Sequence, residues 1–140
     1  MTNCVTEIKE ADVIFVTGSN TTENHPVMGM YIRQAKRAGK KLIVADPVRI
    51  PLAEIADVYL QINPGTSVAL SNGMIHVIFA EGLEDKEYIE KHTEGAEELR
   101  EFVKEYTPER VAEICGVDKD LIIKAARLYA TNRSYIAYAM

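Results

Sequence analysis

Two short polar segments near the start of the chain carry groups that can bind a nucleotide. Gly18, Ser19 and Asn20 follow the apolar run Val13–Thr17, and Asp46 follows a second apolar run, Leu42–Ala45. Backbone N–H groups in the first segment suit a phosphate, and an aspartate after a second strand can accept hydrogen bonds from ribose hydroxyls. The two segments therefore predict a nucleotide-binding half-site.

The first polar segment continues to a predicted helix start at Pro26 and offers further hydroxyl, amide and carboxylate groups. Glu23 can accept hydrogen bonds from an amino group or a hydroxyl, and His25 carries an imidazole that is more often a cap or a hydrogen-bond anchor than a base. The segment lacks the Gly-x-Gly-x-x-Gly pattern of a dehydrogenase turn, so we expect it to hold a pyrophosphate less tightly and to admit a bulkier ligand. An ordinary polar connection, with Asn24 or His25 as the helix cap, remains an open alternative.

The remaining cysteines and histidines form no pattern typical of catalysis or metal binding. Cys4 and Cys115 stand far apart, without the spacing of a zinc or iron–sulfur site, which predicts the reduced thiols of a cytoplasmic protein. His76 lies in an apolar stretch and His92 in an acidic one. We therefore predict neither a catalytic residue nor a metal ligand in this chain.

Composition argues against two classes of partner. The formal net charge of −5 does not fit a nucleic-acid binder, which usually carries a clustered basic surface. The basic residues between Arg33 and Lys41 recur at spacings of three and four, as on the solvated face of a helix. Because no run of eighteen apolar residues occurs, we predict no membrane segment.

An opening strand–helix–strand unit positions the two polar segments. Asp12 to Thr17 predicts the first strand and Lys41 to Ala45 the second. The helix between them should begin at Pro26 and stop at Gly39. Its apolar stripe consists of Met28, Tyr31, Ile32 and Ala35. A right-handed crossover makes the two strands parallel, so both polar segments should lie at one edge of the sheet.

The rest of the chain supplies a short third strand, several helices and a final strand. The third strand should cover Val58 to Ile62, and the final one Ser134 to Ala139. Between them we predict a helix with apolar residues almost all round, buried between layers, capped by Thr66 or Ser67 and running until Gly82. Later helices should begin at Thr107-Pro108 and Asp118. These elements predict an α/β, three-layer sandwich with a mostly parallel, Rossmann-like sheet. We expect one domain over residues 1–140, excised from a longer protein.

Several linked motifs in this order resemble the molybdopterin oxidoreductase family, and within it the catalytic subunits of formate dehydrogenases. The first group of motifs is Ala11-Asp12, Gly18-Ser19-Asn20 with Glu23 and His25-Pro26, Ala45-Asp46-Pro47 with Arg49, Ile55-Ala56-Asp57, and Pro64-Gly65-Thr66 with Val68-Ala69-Leu70. The second group is Met1-Thr2-Asn3, Thr93-Glu94-Gly95, Tyr106-Thr107-Pro108-Glu109, Gly116-Val117 and Ala125-Ala126-Arg127. The resemblance therefore covers essentially the whole chain.

The resemblance implies part of a large enzyme that oxidises formate to carbon dioxide at molybdenum or tungsten held by two molybdopterin guanine dinucleotides. It also implies a [4Fe–4S] cluster elsewhere in that enzyme, and as partners the remaining domains of the subunit and electron-transfer subunits. The metal-binding cysteine or selenocysteine would precede this segment, so we expect the isolated chain to be inactive. The implied cofactor-binding residues are Gly18, Ser19, Asn20, Glu23, His25, Ala45, Asp46, Pro47, Arg49, Pro64, Gly65, Thr66 and Ser67.

Two positions depart from the family pattern. Val48 replaces an arginine that often follows the Asp-Pro pair, which leaves Arg49 as the nearest cation. Ser67 replaces an aspartate that could pair with guanine donors, and a serine accepts only a weaker, neutral hydrogen bond. Two alternatives stay open: another enzyme of the family, such as a nitrate reductase, and a nucleotide-binding module without catalysis.

Overall fold

A computed structural model describes residues 4–138 and shows a mixed α/β fold around a parallel sheet. The four strands are β1 (Val13–Thr17), β2 (Lys41–Ala45), β3 (Val58–Leu60) and β4 (Ser134–Tyr138). Their order across the sheet is β3-β2-β1-β4, and every neighbouring pair is parallel. The predicted α/β class with a parallel sheet is confirmed. Met1-Thr2-Asn3 and the predicted strand end at Ala139 lie outside the described residues.

Seven α-helices accompany the strands in the described part of the chain. They are α1 (Thr21–Asn24), α2 (Pro26–Arg37), α3 (Ser67–Ala80), α4 (Lys86–His92), α5 (Ala96–Phe102), α6 (Pro108–Cys115) and α7 (Lys119–Ala130). Short 3₁₀ segments cover Val5–Glu10, Ala53–Ile55 and Val103–Glu105. Between residues 4 and 138, none of the helices has the length and apolar character needed to cross a membrane.

The chain divides into two compact units. The first contains Met1–Ile62 and Asn132–Met140, and the second contains Asn63–Thr131. The sheet therefore belongs to the first unit, and α3 to α7 belong to the second. One domain over residues 1–140 stays a prediction.

The core of the first unit forms where α2 packs on one face of the sheet. Ile14 and Val16 of β1 are fully buried in one apolar cluster with Leu42 and Val44 of β2. From α2, Ile32 and Ala35 join this cluster, and Met28 and Tyr31 pack against it. The predicted apolar stripe is thereby confirmed, because residues three and four apart share one side of a helix.

The second unit is built around α3, which packs against α6 and α7. Leu70, Met74 and Val77 of α3 are buried, but Val68 in its first turn is 72% exposed. The prediction of a helix buried between layers is therefore wrong for this first turn, since an apolar composition does not tell which side lacks a neighbour.

Helix starts in the second unit follow local capping chemistry. The Thr107 and Asp118 side chains accept hydrogen bonds from the backbone N–H groups of Arg110 (3.4 Å) and Asp120 (2.7 Å), as predicted. Thr66 occupies the cap position of α3, but its hydroxyl donates to the Asn63 carbonyl at 2.7 Å. The predicted cap position is therefore confirmed, but Thr66 makes no side-chain cap hydrogen bond because its hydroxyl is committed to the preceding turn.

Candidate nucleotide-binding site

The ends of β1 and β2 bring the two polar segments to one edge of the sheet. Thr17 and Ala45 are register partners, and the Gly18 N–H donates to the Ala45 carbonyl at 3.2 Å. The Asp46 N–H in turn donates to the carbonyl of Leu60, the last residue of β3, at 3.2 Å. The prediction that the strands before these segments end at one edge is confirmed.

Asp46 is a buried carboxylate within a turn. Asp46 is only 8% exposed. One of its carboxylate oxygens accepts a hydrogen bond from the Val48 N–H at 2.8 Å. The other oxygen has no hydrogen bond within residues 4–138. A carboxylate has about four acceptor sites, so Asp46 keeps most of its capacity for donors from a ligand.

Two side chains, one in β3 and one directly after it, form hydrogen bonds with the main chain of this turn. The Tyr59 hydroxyl donates to the Asp46 carbonyl at 3.2 Å, and the Gln61 amide donates to the Pro47 carbonyl at 3.3 Å. Burial, with the nearby Asp46 charge, raises the pKa of Tyr59, although Arg49 acts in the opposite direction. The sequence pattern does not single out Tyr59 or Gln61, because their role depends on β3 lying beside β2.

The first polar segment is more ordered than a plain loop. Gly18 has a φ of +59°, a left-handed conformation that a side chain would strain. Ser19 and Thr21 are buried, and α1 forms one helical turn where the sequence predicts only a polar connection. The side-chain oxygens Oδ1 of Asn20 and Oγ1 of Thr21 are buried without a hydrogen-bond partner. Unused buried polar groups are rare in folded proteins and require a specific explanation.

Glu23 and His25 lie on the exposed side of this segment. Both side chains are exposed, Glu23 within α1 and His25 at the cap position of α2. The His25 ring makes no capping hydrogen bond, and α2 begins at Pro26, as predicted. Both side chains are therefore accessible to a ligand, and an imidazole cap of α2 is not formed.

The cation of the second segment has no carboxylate partner in the described part of the chain. Arg49 is exposed and forms no ion pair there, while Val48 beside it is 66% exposed. Pro47 is half-buried between them and Asp46. The guanidinium is thus available to an anionic group near the Asp46 turn.

The residues Pro64, Gly65, Thr66 and Ser67 belong to the second unit and form an exposed turn that leads into α3. Gly65 has a φ of +84° at its tip. The backbone N–H of Asn63 donates to the Cys115 carbonyl at 2.8 Å, and the Asn63 side chain donates to the Ile114 carbonyl at 3.2 Å. The end of α6 therefore fixes the base of the turn.

Gly116 makes that attachment possible. It terminates α6 with a φ of +71°, and a Cβ atom there would lie 3.0 Å from the Asn63 side chain. Thr66 closes the turn by donating to the Asn63 carbonyl. Asn63 and Gly116 are therefore structural residues that the sequence pattern does not connect, since they are distant along the chain.

The two cysteines are not paired in a disulfide, and the described residues contain no group of side chains suited to a metal ion. Cys4 is exposed, whereas Cys115 is buried, and burial raises the pKa of the Cys115 thiol. Between residues 4 and 138, no three His, Cys, Asp or Glu side chains are grouped so as to hold a metal ion. The candidate site therefore consists of hydrogen-bonding groups and one free guanidinium.

The whole sequence, residues 1–140, matches the family model described as molybdopterin oxidoreductase. The chain belongs to the molybdopterin oxidoreductase family. It is 52% identical over 141 residues to the F420-dependent formate dehydrogenase subunit alpha of Methanocaldococcus jannaschii. That match covers all of this chain and 21% of the relative, so the chain spans about a fifth of its length.

Other relatives in the molybdopterin oxidoreductase family carry different names. A nitrate reductase of Symbiobacterium thermophilum is 45% identical over 131 residues, covering 86% of this chain and 17% of the relative. The solved structure of acetylene hydratase from Pelobacter acetylenicus aligns with a TM-score of 0.86 and 37% identity, covering 96% of this chain and 20% of that one. This segment is therefore shared by family members with different named activities.

Proposed function

We propose that this chain is the part of a formate dehydrogenase catalytic subunit that binds the guanosine and pyrophosphate portion of one molybdopterin guanine dinucleotide. Family membership and 52% identity to a formate dehydrogenase alpha subunit support the enzyme class. The carboxylate of Asp46 is the observation that carries the binding role. It is buried, fixed through one oxygen and available through the other, at the carboxyl edge where parallel sheets bind ligands.

In this proposal Asp46 accepts a hydrogen bond from a ribose hydroxyl. A charged acceptor makes a shorter and stronger hydrogen bond than a neutral one, and the low exposure of Asp46 reduces competition from water. The Val48 N–H holds the carboxylate in one orientation, so little side-chain freedom is lost on binding.

The first polar segment surrounds the phosphates. Gly18 has no side chain to obstruct them, and no atom lies within 4 Å of the position a Cβ would occupy. Ser19 and Asn20 contribute polar groups beside it, and the unused Asn20 oxygen fits a site completed by a polar ligand. Arg49 supplies the cation that faces the negative charge, because it has no carboxylate partner in the described residues.

Outer groups complete the proposed site. Glu23 and His25 are exposed and can contact amino or hydroxyl groups at its rim. Ala45 and Pro47 contribute main chain that positions Asp46. The exposed turn formed by Pro64, Gly65, Thr66 and Ser67 is proposed to border the guanine, with the Ser67 hydroxyl as a neutral acceptor.

When bound, the cofactor supplies two-electron redox chemistry through its molybdenum or tungsten ion, and a [4Fe–4S] cluster and electron-transfer subunits outside this chain would serve it. The residues described here hold the nucleotide end and leave that chemistry to other parts of the enzyme. We further propose a cytoplasmic location, in keeping with free cysteines rather than a disulfide.

The test is an NMR titration of the 140-residue chain with GMP and GDP. Because the remaining walls of the cofactor site lie outside the chain, we expect a dissociation constant in the millimolar range, about −4 kcal/mol. Shifts should concentrate at Gly18 to Glu23, Asp46 to Arg49 and Pro64 to Ser67. Asp46→Ala should remove a charge-assisted bond of about 1.5–3 kcal/mol, which places binding beyond detection.

Asp12→Ala is the matched control. Asp12 is an exposed aspartate directly before β1, at the opposite edge of the same sheet, and its replacement should leave the titration unchanged. Shifts confined to α4 and α5, or equal binding by Asp46→Ala, would contradict the proposed site.

A further inference from the structure

Two arginines of α2 have no carboxylate beside them in the described part of the chain. Arg33 and Arg37 form no ion pair between residues 4 and 138, and the Arg37 side chain makes no hydrogen bond there either. Lys36, on the same helix, instead pairs with Asp57 at 2.6 Å. The helix therefore carries one cation whose charge is balanced and two whose charges are not.

The spacing of the two arginines brings their charges together. Arg33 and Arg37 are four residues apart, so their side chains are neighbours on one helix face, where like charges repel each other. An anion bound between them would relieve this repulsion. Each guanidinium presents a planar fork of N–H donors, which matches the oxygens of a phosphate group. The pair thus has the charge and the donors that a phosphate requires.

The Arg33 guanidinium is held in place by α1. The Arg33 side chain is half-buried and donates to the Thr22 hydroxyl at 3.3 Å. α1 can come this close because α2 has Gly29 at the contact, where a Cβ atom would lie 3.0 Å from the Thr21 carbonyl oxygen. Since Arg33 is already fixed, less side-chain freedom is lost when it binds an anion.

A cleft of about 320 Å³ lies beside these groups. Its lining combines hydrogen-bonding groups with apolar surface and includes Thr22, Pro26, Met30, Arg33, Gln34 and Arg37. Met30 is 46% exposed, so its side chain is accessible from the cleft. The volume is near the lower end of the range for ligand sites, about 300–1,000 Å³. A phosphate with a small apolar group would therefore use more of this lining than inorganic phosphate.

We propose that Arg33 and Arg37 form a binding site for a phosphate monoester that carries a small apolar group. The phosphate oxygens accept hydrogen bonds from both guanidinium groups, and the Gln34 amide is a further donor. The apolar group packs against Pro26 and Met30. None of these side chains belongs to the proposed nucleotide site, so the inference is independent of nucleotide binding.

NMR titration of the 140-residue chain with inorganic phosphate and with phenyl phosphate, at fixed ionic strength, tests the proposal. Shifts should concentrate at the Nε–H groups of Arg33 and Arg37, with a dissociation constant for inorganic phosphate in the millimolar range. Phenyl phosphate should bind about two- to fivefold more tightly, because its ring covers apolar surface. Met30→Ala should reduce that difference and leave the binding of inorganic phosphate unchanged.

Three variants separate a built site from general charge. Arg37→Gln should weaken phosphate binding about five- to tenfold, because a charged donor is lost. Thr22→Val keeps every charge but releases Arg33, so binding should weaken about two- to threefold. Lys124→Gln is the matched control, since Lys124 is exposed on α7 and has no carboxylate partner in the described residues. It should leave the titration unchanged.

The positions of the shifts distinguish this site from the nucleotide site. GMP is itself a phosphate monoester, so shifts that it causes at Arg33 and Arg37 belong to the arginine site. Asp46→Ala should leave them unchanged. Phosphate shifts confined to the turn of Asp46 to Arg49 would overturn the present proposal without contradicting the nucleotide site.

Three further results would also overturn it. Undiminished phosphate binding by Arg37→Gln would exclude the arginine pair. Equal weakening by Lys124→Gln would reduce the effect to general charge. Loss of phosphate binding in the longer polypeptide that contains this chain would show that another part of the subunit covers the two arginines.

Discussion

Asp46 combines a fixed main chain with a fixed side chain. The Val48 N–H holds one carboxylate oxygen, while Tyr59 and Gln61 hold the carbonyls of Asp46 and Pro47. Each contact is worth about 0.5–1.5 kcal/mol, or more where the charge takes part. Together they reduce the freedom that a ligand would otherwise have to remove, which favours binding by preorganisation.

Tyr59→Phe tests this arrangement at the level of one hydroxyl. The substitution keeps the ring and removes one hydrogen bond, so GMP binding by the 140-residue chain should weaken about three- to tenfold. Exchange of the Val48 amide should become faster, because the turn loses a support. NMR titration and amide exchange measure the two effects.

Tyr31→Phe provides the matched control, since Tyr31 is a half-buried tyrosine that packs against the core from α2. It should leave both measurements unchanged. Unaltered GMP binding and Val48 exchange in Tyr59→Phe would show that Tyr59 does not position Asp46.

At this scale the sequence reveals Asp46 but not its supports. An acidic residue directly after a buried strand is a local signal, and so is the glycine that directly follows the strand before it. Tyr59 and Gln61 contact the Asp46 turn because β3 is the neighbour of β2, and strand order is not encoded by local spacing.

Among the elements, the contact between α3 and α6 leaves no room at Gly73. A Cβ atom on Gly73 would lie 2.8 Å from a methyl carbon of Val111, a side chain that is itself fully buried. Glycine in a helix costs about 0.5–1 kcal/mol relative to alanine. The close approach of the two helices explains why α3 carries glycine at this point.

Gly73→Ala should therefore destabilise the chain despite its better helix propensity. Overpacking costs about 1–3 kcal/mol, which exceeds the gain in propensity. Urea unfolding measures the change. Val111→Ala removes the methyl groups that the new Cβ atom would meet. Gly73→Ala should therefore be less destabilising when it is added to Val111→Ala than when it is added to the parent chain.

Ser71→Ala changes an exposed position of the same helix and should have a small effect. A more stable Gly73→Ala variant would refute the tight contact between α3 and α6.

Element boundaries follow the sequence where the signal is local. Pro26, Thr107-Pro108 and Asp118 start helices as predicted, because capping and proline effects involve only neighbouring residues. β3 ends at Leu60 rather than Ile62, and α1 forms inside the first polar segment. Both differences arise because pairing partners and buried contacts, rather than residue type, decide where short elements form.

For the whole molecule, charge is unevenly divided between the two units. The first contains eight basic and seven acidic residues, whereas the second contains eight basic and fourteen acidic ones. Acid relieves repulsion among these carboxylates but also protonates those that hold the fold together. Which effect dominates depends on carboxylates whose pKa is lowered in the folded chain.

Asp57 is such a carboxylate, and it connects three parts of the first unit. It accepts hydrogen bonds from Lys36 of α2 at 2.6 Å, from Lys41 of β2 at 3.2 Å and from the Leu42 backbone N–H at 2.8 Å. Burial by itself would raise the pKa of Asp57, but these three donors together lower it below the ordinary value.

Asp57→Asn should consequently lower stability in a pH-dependent way. Because the folded pKa is lowered, the stabilisation is fully present above the unfolded pKa, about 3.9, and is lost as pH falls through the folded pKa. Near neutral pH we expect a loss of about 1–2 kcal/mol, a range reduced for partial solvent screening. Urea unfolding at pH 7 and below pH 4 should show the difference from the parent chain shrinking in acid.

Asp12→Asn serves for comparison, because Asp12 is exposed and has a single ion pair, with Lys40 at 3.0 Å. Its effect should be small at every pH. A difference between Asp57→Asn and the parent chain that stays constant or grows in acid would contradict the assigned role of Asp57.

The sequence predicts the α/β class and the family of the molecule, because both depend on many motifs in a fixed order. The division into two compact units is not predicted, since no linker composition marks residues 62–63 or 131–132. Contacts between distant parts of the chain determine such a boundary.

The turn of Asn63 to Thr66 is anchored from beneath by the end of α6, while its tip faces outward. The path of its main chain thus depends on Asn63, Thr66 and Gly116. The side chains that it exposes to solvent are those of Pro64 and Ser67. Selection can act on these two properties separately. A lineage can exchange the residue at position 67 and so alter which ligand group is contacted, without rebuilding the frame that presents it. The serine at position 67, where the family resemblance implies an acidic residue, would be a substitution of this kind.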